Sequence, residues 1–403
     1  MKLRETISWL MGTLQKNLFP YLEECSGTPL TEKQKQLIQI LEIVQVERSV
    51  PKTATHQWMG RKVLEREAIA RAFVAKVVYN YPTTRSLITA LQETPNIRQI
   101  CGFAKRSDIP SEATFSRAFQ EFAGSGLGDR VHDLLVETNL QSELLGHISR
   151  DSTAIAGREK PVPKPKKEKA APRKRGRPGR GEIREPKPES RLVRQVTQEV
   201  QESLQEIPVG CDVGAKRNSQ GHQETWIGYK LHADVNDCGL PISVVLTSAS
   251  VHDSQVAIPL MKMTSSKVDY LYDLMDSAYD AQPIYEVSRG LGHVPLIEKN
   301  SRGREVVPMA PHEAIRYNER TAPERFNSRL KEEFGGKNVR VRGYEKVKLN
   351  MMFGVLALFA DQLIKQTRFQ VTMAGRNGKQ TECPRPISAC HRRLPKWTAH
   401  SLG

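Results

Sequence analysis

From residue 205 onward, strand-prone runs alternate with helix-prone ones, and this alternation narrows the fold more than any other feature of the chain. "TWIGYKLHADVND" and "LPISVVLTSAS" read as two strands joined by a turn at Cys238-Gly239, which predicts a hairpin. "SQVAIPLMKM" reads as a helix, "VDYLYDLMDSAYD" as a strand ending in a turn, and "AQPIYEVSRGLG" as a helix stopped by glycines. "HVPLIEKN" is a short strand, "RYNERTAPERFNSRLKEEFG" a charged helical stretch, and "EKVKLNMMFGVLALFADQLIKQ" a long closing helix. Upstream, "LLGHISRDST" supplies one more strand, closed by Asp151. Strands alternating with helices predict the α/β class, a mixed sheet covered by helices.

The first part of the chain has a different period. "LTEKQKQLIQILEIVQVE" opens with Thr31 and Gln34 at capping-box spacing and continues with apolar residues at helical intervals. "REAIARAFVAKVVYNY" and "TTRSLITALQ" follow in the same pattern. In "RSDIPSEATFSRAFQEF", Phe115, Ala118, Phe119 and Phe122 share one face and leave Thr114, Arg117 and Gln120 outside. Two readings stay open for this segment: the recognition helix of a helix-turn-helix, with Arg117 toward DNA, or an ordinary bundle helix. The predicted organisation is an all-helical domain over 1–140, the first strand of a catalytic domain over 141–157, and an insertion over 158–204. The catalytic domain then resumes over 205–368, followed by an irregular tail over 369–403 to which no function is assigned.

The insertion is the sharpest change in composition. Between residues 161 and 180 there are nine basic side chains and one acidic one, with almost no large apolar residue. Such a segment cannot repay its ordering entropy by burial, which predicts disorder. At its centre, "RKRGRPGR" holds Arg175-Gly176-Arg177, the pattern of minor-groove hooks; contact with phosphates without base preference is the alternative. The whole chain of 403 residues has 61 Lys and Arg against 45 Asp and Glu, a net charge of +16. That balance points to a polyanionic partner, double-stranded DNA before an anionic membrane. The opening "MKLRETISWLMGTLQ" lacks the apolar run of a secretory signal, and "MMFGVLALFADQLI" is only 14 residues long and carries Asp361, too short to span a bilayer. Six scattered cysteines fit a reducing compartment, so the expected location is the cytoplasm.

Three carboxylates carry the chemistry. Asp151 and Asp276 each end a predicted strand, where functional groups of an α/β sheet collect. Counting about 100° per residue along the charged helix puts Lys331 within about 20° of Glu324, two turns on, with Glu333 on the opposite face. Carboxylates without a histidine or cysteine cluster suit hard divalent ions, Mg2+ or Mn2+. Two such ions serve in-line phosphoryl displacement, with Tyr317, Arg320 and Lys331 holding phosphates beside them. Each acid also has a plain structural role open to it: Asp151 and Asp276 as turn caps, and Glu324 closing a capping box with Thr321. Asp212 and Asp234 are alternative first acids, and Asp253 reads as the cap of the helix after "SVHDSQ".

The spacing Tyr317-x2-Arg320-x3-Glu324-x6-Lys331 resembles the Y-R-E-K signature of bacterial insertion-sequence transposases of the DDE class. "DSTAIAGREKP", "YKLHADV", "LTSASVHDSQVAIPLM" and "DLMDSAYDA" resemble the same family, in the expected order. The resemblance implies a ribonuclease H-like catalytic domain with Asp151, Asp276 and Glu324 as its catalytic and metal-binding triad. It implies hydrolysis at the element's ends and attack of the freed 3′-hydroxyl on target DNA, by a homo-oligomer that bridges two terminal inverted repeats. Arg320 and Lys331 would contact phosphate, and Tyr317 the terminal nucleotides. A nuclease on the same fold, or an inactive DNA-binding repressor, are the alternatives. Pro323 before Glu324 departs from a continuous helix: either the helix begins there, or it is kinked.

Overall fold

The computed structural model describes residues 29–51, 66–163, 189–217, 220–301 and 308–375. Among them, six helices precede the sheet: α1 (Glu32–Val44), α2 (Arg66–Val78), α3 (Thr84–Glu93), α4 (Pro95–Cys101), α5 (Glu112–Gly124) and α6 (Leu127–Leu140). The start of α1 follows from its sequence. Thr31 accepts from the Gln34 amide, and the Gln34 side chain accepts from the Thr31 amide. α2 is apolar on nearly every face, and the other helices surround it.

Then come β1 (Leu144–Ala156), α7 (Arg191–Thr197), α8 (Val200–Gln205), β2 (Asp212–Arg217), β3 (Gln223–Asn236) and β4 (Pro241–Ser248). They are followed by α9 (Ser254–Ser265), β5 (Asp269–Met275), α10 (Gln282–Gly290) and β6 (Val294–Ile297). The last elements are α11 (Pro311–Tyr317), α12 (Ala322–Glu332) and α13 (Tyr344–Gly375). The path across the sheet is β2-β3-β1-β5-β6, with β4 also pairing β3. β3 runs antiparallel to β1, β2 and β4, whereas β5 runs parallel to β1 and β6 parallel to β5. The predicted α/β class and mixed sheet are therefore present, and the β3/β4 hairpin turns at the predicted Cys238-Gly239.

Both faces of the sheet are covered, and β4 shows how. Ile242, Val244 and Leu246 belong to the core shared with α13, while Val245 joins a separate cluster with Val256 and Leu260 of α9. That alternation is the period-2 signature of a strand buried on both sides. α13 is the central helix. Phe353 stacks on Phe73 of α2 at 5.7 Å, and Phe73 meets Phe119 of α5 edge-on at 4.8 Å. Each ring buried in this way contributes about 1.5–3 kcal/mol. Gly354 lets α12 lie close against α13, since a Cβ there would stand 2.7 Å from the Phe334 carbonyl oxygen and 2.8 Å from Leu330.

Several expectations need correction. The helices before residue 140 do not stand apart as a domain, because their core is continuous with α13 and one face of the sheet. The connection between α4 and α5 runs from Gly102 to Ser111 and contains a 3-10 turn, far longer than the tight turn of a helix-turn-helix. Arg117 is exposed on α5, a placement that both readings of that segment allow. The predicted insertion over 158–204 is structured at its end: α7 and α8 dock on α9, with Lys262 donating to the carbonyls of Gln195, Val196 and Gln198. Its centre, with Arg175 and Arg177, lies outside the described residues. β2 went unpredicted, because "DVGAKR" has neither strong β-propensity nor an apolar alternation. Residues 344–367 are long and apolar enough to cross a membrane, contrary to the 14-residue expectation. However, 89% of that window is buried in the protein interior, as suits a core helix.

Candidate active site

β1 does not close at Asp151; it continues to Ala156, because its pairing with β3 extends that far. Its parallel pairing with β5, however, stops at Ser149 opposite Leu274. Two residues further on each strand lie Asp151 and Asp276, so the sheet register brings the two acids to one level where β5 leaves the sheet. Asp276 takes the cap position of the 3-10 turn Ser277–Tyr279, accepting the Ala278 amide at 2.9 Å. Its plain structural role is thus real, and it coexists with its position at the strand end.

Glu324 arrives from the other side. The predicted charged helix is three pieces: α11, a 3-10 turn over Asn318–Thr321, and α12, which begins at Ala322 with Pro323 in its first turn. The break falls where the proline demands it, one residue before the position predicted from sequence. Thr321 makes no side-chain cap; its hydroxyl accepts from Arg325 at 2.9 Å. The capping-box role for Glu324 is therefore absent, and its carboxylate lies 3.6 Å from Arg320 and is half exposed.

The side chains around these acids form a braced set. Asn327 lies on the same face of α12 as Glu324 and Lys331, and its amide donates to Asp151 Oδ2 at 3.2 Å. Tyr317 donates to the Met275 carbonyl at 3.2 Å, tying α11 to the residue before Asp276. The Arg320 guanidinium lies over the Tyr317 ring at 5.6 Å. Burial pushes the Tyr317 hydroxyl up to about 12, so it is a hydrogen-bond donor at neutral pH. Burial lowers the Lys331 ammonium, with Lys216 and Lys337 adding to the effect and Asp151 opposing it.

The electrostatics show how closely the acids are associated. Burial lifts Asp151 to about 6; the Ser152 amide opposes this, and Asp276, Asp253 and Glu324 raise it further. Asp276 is raised by burial and by Asp253, against the Ala278 amide and Arg320. The acids thus share one neighbourhood and destabilise each other's charge. They do not enclose an ion: among the described residues, no three His, Cys, Asp or Glu side chains converge closely enough to hold one. The donor chemistry fits a hard cation, since a partly buried, mutually repelling carboxylate set is what such an ion neutralises. The expected tight triad is instead two acids fixed by the sheet and a third turned toward Arg320.

Arg150 and Asn327 were not anticipated, and the alternative acids take other roles. Arg150, one residue before Asp151, is fully buried and donates to both oxygens of Asp234 at 2.7 and 2.6 Å, with Asp273 at 3.6 Å. Asp234 is therefore a core ion-pair partner and not a first acid. Asp212 lies opposite Gly228, which pairs with Ala156, five positions along β1 from Asp151, which removes it as well. Asp253 makes no cap with its side chain, which accepts from Ser152 at 2.8 Å and Lys230 at 3.0 Å. Burial would raise its carboxyl, but the His232 ring and the Lys230 ammonium hold it below the usual range. Asn327 was legible in principle, being three residues after Glu324 and four before Lys331.

Two known families match the chain. Residues 196–360 match the transposase DDE domain, and residues 29–121 match the transposase domain DUF772. The DDE match contains Asp276 and Glu324 and begins after β1 and Asp151. No curated protein and no solved structure matches the chain. The two matches together span well over half of the sequence, and the DDE match holds β2 to β6 with Asp276 and Glu324. The chain belongs to the DDE-class insertion-sequence transposases.

Proposed function

We propose that Asp151, Asp276 and Glu324 are the catalytic acids of this transposase, on a ribonuclease H-like sheet. The observation that carries the proposal is the parallel β1/β5 register. It sets Asp151 level with Asp276, while Glu324 on α12 is near enough to raise the Asp151 carboxyl. Four strands joined by antiparallel pairing, continued by parallel β5 and β6, support the ribonuclease H-like reading. A divalent cation, Mg2+ or Mn2+, held by these carboxylates would stabilise charge on the attacking and leaving oxygens of a phosphodiester.

The chain's own side chains supply the positioning. Asn327 fixes one Asp151 oxygen, and Tyr317 anchors α11 to the Met275 carbonyl beside Asp276. Arg320 pairs with Glu324, its charge reaches Asp276, and its guanidinium would hold a phosphate beside them. Lys331, on the same face as Glu324, presents the next cation along the backbone of double-stranded DNA. The products would be a cleaved strand at each terminal inverted repeat and a 3′-hydroxyl joined to target DNA, by a homo-oligomer in the bacterial cytoplasm. Arg117, on the exposed face of α5, and the Arg175/Arg177 segment would add DNA contacts outside the site.

The test uses a supercoiled plasmid carrying the element's ends. Mg2+-dependent cleavage that is lost in Asp276→Ala supports the proposal, and metal-independent binding without cleavage refutes it in favour of a repressor. Cleavage without joining to new DNA would leave a nuclease.

A further inference from the structure

Beyond Gly157 the chain leaves β1 and crosses the end of the sheet as a short strap. Three contacts pin it. Tyr229 on β3 donates to the Glu159 carboxylate at 2.5 Å, the Gly343 amide just before α13 donates to both Glu159 oxygens at 3.2 Å, and the Val162 amide donates to the Cys211 carbonyl at 2.8 Å. The acid of the strap is thus turned inward and satisfied. The strap borders an open groove of about 510 Å³ lined by Gly157, Arg158, Glu159, Lys160, Ile227 and Arg342.

Arg158, Lys160 and Arg342 are exposed. None has an acidic partner within ion-pair distance among the described residues. They do not stand alone. Lys331 feels Lys216 and Lys337 as well as Asp151, so positive groups also surround the proposed catalytic acids, Lys216 and Lys337 being paired with Glu224 and Glu332. Three unpaired cations around an open groove, on a strap locked by hydrogen bonds, are a preorganised place for regularly spaced anions.

Resting on the reading of Asp151 as a catalytic acid, we propose that the groove between the Arg158–Lys160 strap and Arg342 binds backbone phosphates of the same DNA duplex whose scissile bond lies at Asp151. The fold supplies its own ruler. The six residues from Asp151 to Gly157 in extended chain span about 20 Å, or about six base pairs at 3.4 Å each. For a duplex lying along β1, the groove therefore holds the DNA about half a helical turn from the cut.

The experiment measures binding of the full chain to a random-sequence duplex over a range of NaCl concentrations. In the variant Arg158→Ala/Lys160→Ala/Arg342→Ala, the slope of log K against log salt becomes shallower by about 2.7, about 0.9 for each phosphate no longer neutralised. An unchanged slope overturns the proposal. The charge-keeping variant Arg158→Lys/Lys160→Arg/Arg342→Lys retains the wild-type slope; a shallower slope there as well would mean a disturbed fold and also overturns it. Ethylation interference on a terminal-repeat duplex locates the groove on the DNA: phosphates about six base pairs from the cleaved bond cease to interfere in the alanine variant, and a change confined to other phosphates refutes the ruler. If the catalytic reading fails instead, Asp276→Ala leaves cleavage untouched while the salt slopes behave as stated, so the two failures are distinguishable.

Discussion

Replacing Asp151 with asparagine should make the protein more stable at neutral pH while abolishing cleavage. Burial, reinforced by Asp276, Asp253 and Glu324, lifts the Asp151 carboxyl to about 6 in the folded state. In the unfolded chain an aspartate ionises near 4. The folded protein therefore binds the proton more tightly, and stability falls as pH rises between about 4 and 6. Above 6 the full cost of holding the ionised carboxylate is present, about 3 kcal/mol for a change of this size. Asn327 still finds an amide oxygen to donate to in Asp151→Asn, so the variant escapes the charge without losing that partner. Urea denaturation midpoints should coincide for the two proteins at pH 4 and diverge above pH 6, the variant being about 2–3 kcal/mol more stable at pH 7.5. Added Mg2+ should stabilise only the wild type, because only there does the ion relieve the buried charge. A stability difference that does not change with pH, or a variant less stable than wild type at pH 7.5, would refute the argument.

Three further outcomes follow from other side chains. Asn327→Ala removes the hydrogen bond to the Asp151 carboxylate, worth about 1.5–3 kcal/mol to a charged acceptor. It should slow single-turnover cleavage about tenfold or more while leaving duplex affinity within about twofold, and equal rates would count against its role. Arg150→Ala strands Asp234 and Asp273 in the core and should cost about 3–5 kcal/mol in the denaturation midpoint. Gly228→Ala places a Cβ against the Ile155 carbonyl oxygen where β3 crosses the end of β1, at a φ of +149°. It should lower stability by more than about 2 kcal/mol and impair cleavage, and a thermal midpoint equal to wild type would contradict it.

Where the sequence was informative, one local signal sufficed. The β3/β4 hairpin, the strand before Asp276 and the long apolar α13 each have a period or a turn that needs no distant partner to be read. Glu324 and Lys331 could be assigned to one face by counting residues, and Asp151 does feel both of them. What escaped was set by contacts between segments far apart. Asp151 reads as a strand end, yet its strand continues because β3 pairs with it to Ala156, a partner some 80 residues away. Asp253 reads as a helix cap from its neighbours, but Lys230 and Ser152 claim its carboxylate. β2 is held by register with β3 and not by its own composition. The helices before residue 140 read as a separate domain because nothing local reveals that α13, more than 200 residues later, fills their core.

The manner in which each acid is held suggests how the site assembles. Asp151 and Asp276 are fixed twice, by the parallel ladder between β1 and β5 and by Arg150, which locks Asp234 of β3 and Asp273 of β5 beneath them. A buried network of that kind fixes geometry more than it adds stability. Glu324 is held differently. Its backbone is firm, since α12 packs closely against α13 at Gly354, but its side chain is half exposed and, among the described residues, has the Arg320 guanidinium as its ion-pair partner. An exposed ion pair of this kind contributes at most about 1 kcal/mol. Turning Glu324 from Arg320 toward Asp151 is therefore the least costly step between this arrangement and a closed ion site. A phosphate arriving at Arg320 would compete for the same guanidinium and release the carboxylate as it binds. On that argument metal affinity and DNA binding are coupled through Arg320. In Arg320→Ala, Mg2+ should bind the free protein more tightly, DNA should no longer strengthen Mg2+ binding, and titration calorimetry with and without duplex should show both changes together.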